Sequence, residues 1–153
     1  MLIGLISDTH GLIRQEALDA LRGAEIILHA GDVGGGRVLR ELRALAPVRA
    51  VFGNVDDPQD PDLEKSIDLE VDGVRVHVSH GHELGRPTPE KLLSAHAAHV
   101  IVYGHTHEAL VHHAGTRIVI NPGAAGPRRF KLKPGVALLR IEHSRAAVQL
   151  VTL

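Results

Sequence analysis

Twelve of the 153 residues are histidine. Imidazole is the commonest metal ligand and the side chain best suited to moving protons near neutral pH. Six of the histidines, together with Asp and Asn residues, fall in five short polar segments that each contain a glycine: Asp8-Thr9-His10-Gly11, His29-Ala30-Gly31-Asp32, Gly53-Asn54-Val55-Asp56, Ser79-His80-Gly81-His82 and Gly104-His105-Thr106-His107. Carboxylate oxygen combined with imidazole nitrogen suits borderline divalent ions such as Mn, Fe, Co, Ni or Zn. The chain has no cysteine, which excludes thiolate zinc sites, iron–sulfur clusters, disulfides and a thiol nucleophile. Asp-x-His and His-x-His place both side chains on one side of an extended segment. One such segment alone reads as a capping Asp or a satisfied core histidine. Five of them offer more donors than one ion needs, which points to two ions with a bridging carboxylate.

These segments need elements to hold them, and each follows an apolar run. Leu2–Ile6 and Glu25–Leu28 read as strands buried on both faces, and Val48–Phe52 as a third. Between them, Ile13, Ala17 and Leu21, then Val38, Leu42 and Leu45, recur at helical spacing over residues 13–22 and 36–46. Strand, helix, strand, helix, strand implies right-handed crossovers and a parallel sheet. Asp72-Gly73 marks a hairpin between strands 66–71 and 74–80. Thr88-Pro89 opens a helix to about residue 97, as an N-cap followed by a first-turn proline. Val100–Tyr103 is another buried strand, and 109–114 with 117–121 and 135–142 with 146–152 are strand pairs. In open α/β sheets ligands bind at the carboxyl ends of strands. All five polar segments lie at such ends.

Composition narrows the class. Apolar residues are 44% and charged residues 23%, the balance of a globular protein, and residues 1–153 read as one mixed α/β domain. The formal charge of -1 argues against binding nucleic acid through bulk charge, and three aromatic residues (Phe52, Tyr103, Phe130) leave little for base stacking. The run Met1–Ile6 meets Ser7 and Asp8 too early for a signal peptide or a membrane span, so a cytoplasmic protein without membrane association is expected.

Asp8-Thr9-His10, Gly31-Asp32, Gly53-Asn54-x-Asp56, His80-Gly81-His82 and Gly104-His105-Thr106-His107 resemble the motif series of the calcineurin-like metallophosphoesterases, in particular their small single-domain phosphodiesterase branch. The resemblance runs from residue 1 to about 126 and takes in Asn121-Pro122-Gly123. It implies a four-layer α/β/β/α sandwich of two mixed sheets flanked by helices. It also implies two divalent ions, manganese first and Ni, Co, Fe or Zn otherwise, and hydrolysis of small phosphodiesters by in-line attack of hydroxide generated at the metals. By matched position, Asp8, His10 and His107 would hold one ion and Asn54, His80 and His105 the other, with Asp32 bridging. Asp32 and Asn54 would thus be catalytic as well as ligating. Two dications against Asp8 and Asp32 leave about two positive charges, which favours a phosphate oxyanion.

One position departs from the wider family, which often has histidine between Asn and Asp of the third motif, where it protonates the leaving group. Val55 stands there, so Asp56 has no imidazole to orient and diesters are favoured over alkyl monoesters. His82 is the alternative catalytic proton donor or a supporting residue. His29 reads as a support, and His77, His96, His99, His112, His113 and His143 as surface or packing residues. Gly34-Gly35-Gly36 reads as a plain turn, the Asp-rich stretch 56–62 as a solvated loop, and the basic run Arg128–Lys133 likewise. The family also includes a non-catalytic protein-binding subunit of the retromer coat, so a metal-binding scaffold is the alternative function. Homo-oligomerisation stays open.

Overall fold

The computed structural model describes residues 1–153. In chain order the elements are β1 (Leu2–Ile6), α1 (Gln15–Leu21), β2 (Ile26–His29), α2 (Gly36–Arg43), β3 (Val48–Ala50), β4 (Ile67–Val71), β5 (Val74–Val78), α3 (Pro89–Ala95), β6 (Val100–Val102), β7 (Leu110–Ala114), β8 (Arg117–Asn121), β9 (Gly135–Glu142) and β10 (Arg145–Thr152), with a 3₁₀ turn at His82–Leu84. They form two mixed five-stranded sheets, β10-β9-β1-β2-β3 and β4-β5-β6-β8-β7. β1, β2 and β3 are parallel, as are β5, β6 and β8; β9, β10, β4 and β7 pair antiparallel.

The layers follow from which side chains are apolar on each face. Ile3, Leu5 and Leu28 of the first sheet meet Val76, Val78, Val100 and Ile120 of the second in the central core. Ile6 and Ile27 point to the opposite face and are covered by Leu21 of α1 and by Val38, Leu39 and Leu42 of α2. Ile101 and Val119 face outward on the second sheet beneath Leu92 of α3. The result is the expected α/β/β/α sandwich. Each large aliphatic side chain buried in these seams stabilises the fold by roughly 1.5–3 kcal/mol.

The elements expected from sequence are present, the three helices and several strands with shorter ends. β3 stops at Ala50; Val51 makes a single bridge to Glu64, and the Arg49–Glu64 ion pair (2.6 and 2.9 Å) ties the chain down as it turns toward Asn54. α2 ends at Arg43, four residues before Pro47, in a turn closed by Ala46 N–H on Leu42 O. Thr88 Oγ1 accepts from Lys91 N–H and Pro89 opens α3, as the sequence suggests. That helix ends at Ala95 because the Arg117 guanidinium takes the carbonyls of Leu93, His96 and Ala98. Asp72 and Gly73 both have positive φ (47° and 79°), the geometry of a type I′ hairpin turn. No helix is long and apolar enough to cross a membrane.

Candidate metal centre

The carboxyl ends of β1, β2, β3, β5 and β6 meet along the rim where the two sheets abut. The loops there bring two groups of donors together: Asp8, His10 and His107 in one, and Asp32, His80 and His105 in the other, the ligand atoms of each within 4.8 Å of one another. Asn54 joins the second group, its Oδ1 lying 3.2 Å from His80 Nε2 and 3.1 Å from His105 Nδ1. Asp32 lies between the groups, with Oδ2 at 3.3 Å from His80 Nε2 and 3.7 Å from His10 Nε2. The seven candidate ligand residues from the sequence thus converge. His82 does not enter either group; its ring centroid is 5.4 Å from that of His80 and 6.3 Å from that of His105.

The backbone at this rim is unusual. Asp8, His10, Asp32, His105 and His107 all have φ between 46° and 70°. Left-handed geometry costs a non-glycine residue roughly 1–2 kcal/mol. Strain of this kind clusters where side chains must be aimed at a ligand.

Several groups outside the donor set hold it in place. Ser7 Oγ donates to Asp8 Oδ2 at 2.6 Å, and the N–H of His105 donates to the same oxygen at 3.1 Å. Asp8 Oδ1 is left buried and unpartnered, facing His107 Nε2 at 3.3 Å and His10 and His80 Nε2 each at 3.8 Å. His80 Nδ1 donates to Ala30 O at 2.7 Å, which fixes the ring and turns Nε2 toward Asp32. Val55 N–H donates to Asp32 Oδ1 at 3.1 Å. The buried imidazole of His29 spans two loops, accepting from Gly31 N–H at 3.1 Å and donating to Thr9 Oγ1 at 3.0 Å, while Thr9 Oγ1 donates to Val33 O. Asn121 holds the last ligand loop through Gly104 O, Thr106 Oγ1 and Gly123 N–H.

Two readings from sequence change here. Asp56 is no solvated loop residue: its carboxylate accepts from the N–H groups of Gly53 (2.8 Å), Val33 (3.1 Å) and Gly34 (3.1 Å), pinning the loop after β2 to the loop after β3. Gly34 is more than a turn residue. At φ 85° it packs against the His10–Gly11 backbone so closely that a Cβ would collide with Gly11 N. Neither cross-loop role has a local sequence signal, since Val33 and Gly34 lie in a different loop from Asp56, and His10 and Gly11 in a different loop from Gly34. The exposed loop at 127–131 and the scattered His99, His112, His113 and His143 take no part in the donor groups.

Electrostatics matches the donor set. Burial opposes the charge on Asp8, but the neighbouring His107 and His80 imidazoles and the hydrogen bond from Ser7 outweigh it and lower its pKa. Burial is likewise overridden at Asp32, mainly by the hydrogen bond and charge of His80, and its pKa falls to about 2. Burial would depress His80, yet Asp32 and Asp8 raise it, whereas burial and the neighbouring His80 lower His105. Two carboxylates therefore stay ionised at neutral pH among converging imidazole nitrogens. A buried carboxylate oxygen without a proton donor, facing imidazole nitrogens, fits divalent cations in both groups.

Comparison with known proteins agrees with this geometry. The calcineurin-like phosphoesterase superfamily domain matches residues 1–144. A probable metallophosphoesterase of Methanothermobacter thermautotrophicus is 34% identical over 99% of this chain and 92% of its own length. A phosphodiesterase of Methanocaldococcus jannaschii is 30% identical over 80% of this chain and 83% of its own. Among solved structures, wild-type Vps29 of Entamoeba histolytica complexed with Zn²⁺ superposes with a TM-score of 0.88 at 26% identity, covering 99% of this chain and 92% of the other. On its motifs, its fold and these matches, the chain belongs to the calcineurin-like phosphoesterase superfamily.

Proposed function

We propose that this protein is a dinuclear metal-dependent phosphodiesterase acting on small phosphodiesters. The observation that carries the reading is Asp8 Oδ1, buried, without a proton donor, and faced by three imidazole nitrogens at 3.3–3.8 Å. Crowded lone pairs in a buried place are costly unless a cation lies among them. In this assignment Asp8, His10 and His107 hold one ion, Asn54, His80 and His105 the other, and Asp32 both.

When bound, two divalent ions would supply Lewis acidity toward phosphoryl oxygens and would lower the pKa of a nucleophilic water. The protein's own groups set the rest. Asp8 and Asp32 neutralise only part of the cationic charge, so the centre attracts a phosphodiester monoanion. Asn54 turns Oδ1 toward His80 and His105, which leaves its amide Nδ2 to donate to a phosphoryl oxygen. Val55 is 60% exposed beside this group and has no proton to give an alkoxide, so leaving groups that depart without protonation are preferred. His82, at the edge of the centre, is the proposed proton donor for the others. Manganese is the metal expected, and the cytoplasm the setting.

The test is chelation followed by reconstitution. Protein stripped with EDTA should lose hydrolysis of bis(4-nitrophenyl) phosphate and regain it with Mn²⁺; turnover that persists after chelation contradicts the proposal. The likeness to Vps29 favours a second reading, a metal-binding scaffold that docks other proteins. That reading expects metal to bind without any diester being cleaved.

A further inference from the structure

β10 forms one edge of the first sheet and pairs only with β9, in a register that runs without a bulge from Arg145 opposite Glu142 to Thr152 opposite Gly135. Along an antiparallel strand, residues that bond to the neighbour alternate with residues that do not. Ile141 N–H donates to Met1 O on the β1 side, so Ala146 opposite it makes no bond to β9. Leu153 N–H donates to Pro134 O, which sets the same alternation at the other end. The N–H and C=O groups of Ala146, Val148, Leu150 and Thr152 therefore point out of the sheet edge, unpaired.

The other edges are guarded and this one is not. An open edge invites another strand, and proteins blunt such edges with short strands, charges, proline or bulges. β3 has three residues and runs into the Val51–Glu64 bridge. β4 exposes Asp68 and Glu70, and β7 has five residues, two of them histidine. β10 has eight residues, none of them buried, with no charge, proline or glycine from Ala146 to Thr152. Leu150 is 39% exposed there, while Ala146 and Val148 pack on the central core.

We propose that β10 is a homodimer interface, pairing antiparallel with β10 of a second copy to join two five-stranded sheets into one. With the two-fold axis at Gln149, Ala146 stands opposite Thr152 of the second copy and Val148 opposite Leu150. Every free group on both strands then bonds, whereas a slip of two residues either way leaves some unpaired. No like charges meet, because Arg145 falls opposite Leu153. The exposed Leu150 gains Val148 of the second copy as its cross-strand neighbour. The second copy also brings a strand already held extended, so no ordering entropy is lost, as it would be for a loose peptide. β10 is parallel to β1, since both pair antiparallel with β9. The two-fold axis therefore sets the metal rims at opposite ends of the joined sheet, clear of the interface.

Sedimentation equilibrium from low micromolar to near-millimolar protein should show a monomer–dimer equilibrium, as suits an interface of modest size. Leu150→Lys sets two ammonium groups diagonally across the axis and should raise the dissociation constant by ~10-fold or more, with Tm held. The chain has no cysteine, so introduced thiols report the register. Gln149→Cys puts its thiols directly opposite each other, with Cβ atoms ~4.5–5.5 Å apart, and should cross-link two copies under mild oxidation. Ala147→Cys puts them ~14 Å apart along the strands and should not. A wild type that stays monomeric at near-millimolar concentration overturns the proposal, as does a dimer that a folded Leu150→Lys leaves intact. Equal cross-linking through the two thiols also overturns it. Should Leu150→Lys fail to fold, the pair of thiol variants decides alone.

Discussion

Asp56 touches none of the metal-facing atoms, yet three backbone N–H groups from two loops depend on it. Asp56→Ala should therefore cost about 2 kcal/mol in urea unfolding, because buried donors are left unpaired. It should also weaken metal binding, since the loop that carries Asp32 loses its anchor; Asp56→Asn, which keeps one acceptor oxygen, should fall between. Val55 offers the opposite kind of experiment. Its side chain is 60% exposed, so Val55→His adds an imidazole with room to turn toward a leaving group. Turnover of alkyl monoesters relative to aryl diesters should rise, by up to ~10²-fold if proton donation limits them. An unchanged ratio in a variant with intact metal content would assign the proton to another group, His82 first. His29 sets a pH dependence. Burial lowers its pKa to about 4, so the unfolded chain binds the extra proton first as pH falls below 6.5. Stability from this residue is thus complete above pH 6.5 and is lost progressively between pH 6.5 and 4, a change of about 3 kcal/mol. Thermal unfolding of His29→Gln across that window should show a shallower slope than wild type.

The strands and helices were legible because hydrophobic period is a local signal. Leu2–Ile6 and Val100–Val102 are buried on both faces, as their uninterrupted apolar runs implied. Element ends were harder to read. α3 stops where Arg117, more than twenty residues downstream, takes its carbonyls, and nothing near Ala95 announces it. The donor-bearing segments were legible from residue type and spacing, and the family resemblance singled out residues within them, but the left-handed backbone of Asp8, His10, Asp32, His105 and His107 was not legible. Those angles are imposed by loops packing on one another across the rim. Gly104 shows how tightly: a Cβ there would collide with Ser7 Oγ and lie 2.6 Å from Asp8 Oδ2. Gly104→Ala should displace the end of β1 and lower metal affinity by ~10-fold or more, while Gly115→Ala, whose Cβ meets nothing but whose φ is positive, should cost stability alone. Calorimetric titration of Mn²⁺ into both variants separates the two effects.

Across the whole molecule, Asp8, His10, Asp32 and Asn54 come from the first sheet, and His80, His105 and His107 from the second. Ions held between them would link the two sheets at the rim above the shared core. Metal at about 100 times its dissociation constant should therefore raise the unfolding free energy by about 2.7 kcal/mol per site, read as a higher Tm that EDTA reverses. The same arrangement sets Asp32 Oδ2 between the donor groups, 3.3 Å from His80 Nε2 and 3.7 Å from His10 Nε2. The decisive measurement is the hydrolysis of bis(4-nitrophenyl) phosphate as Mn²⁺ is titrated into metal-free protein, wild type beside Asp32→Ala. Wild-type activity should rise until about two ions are bound per chain and then level, and Asp32→Ala should lose ~10³-fold or more at the same metal concentration. Saturation at a single ion, or wild-type turnover in Asp32→Ala, would contradict a dinuclear phosphodiesterase.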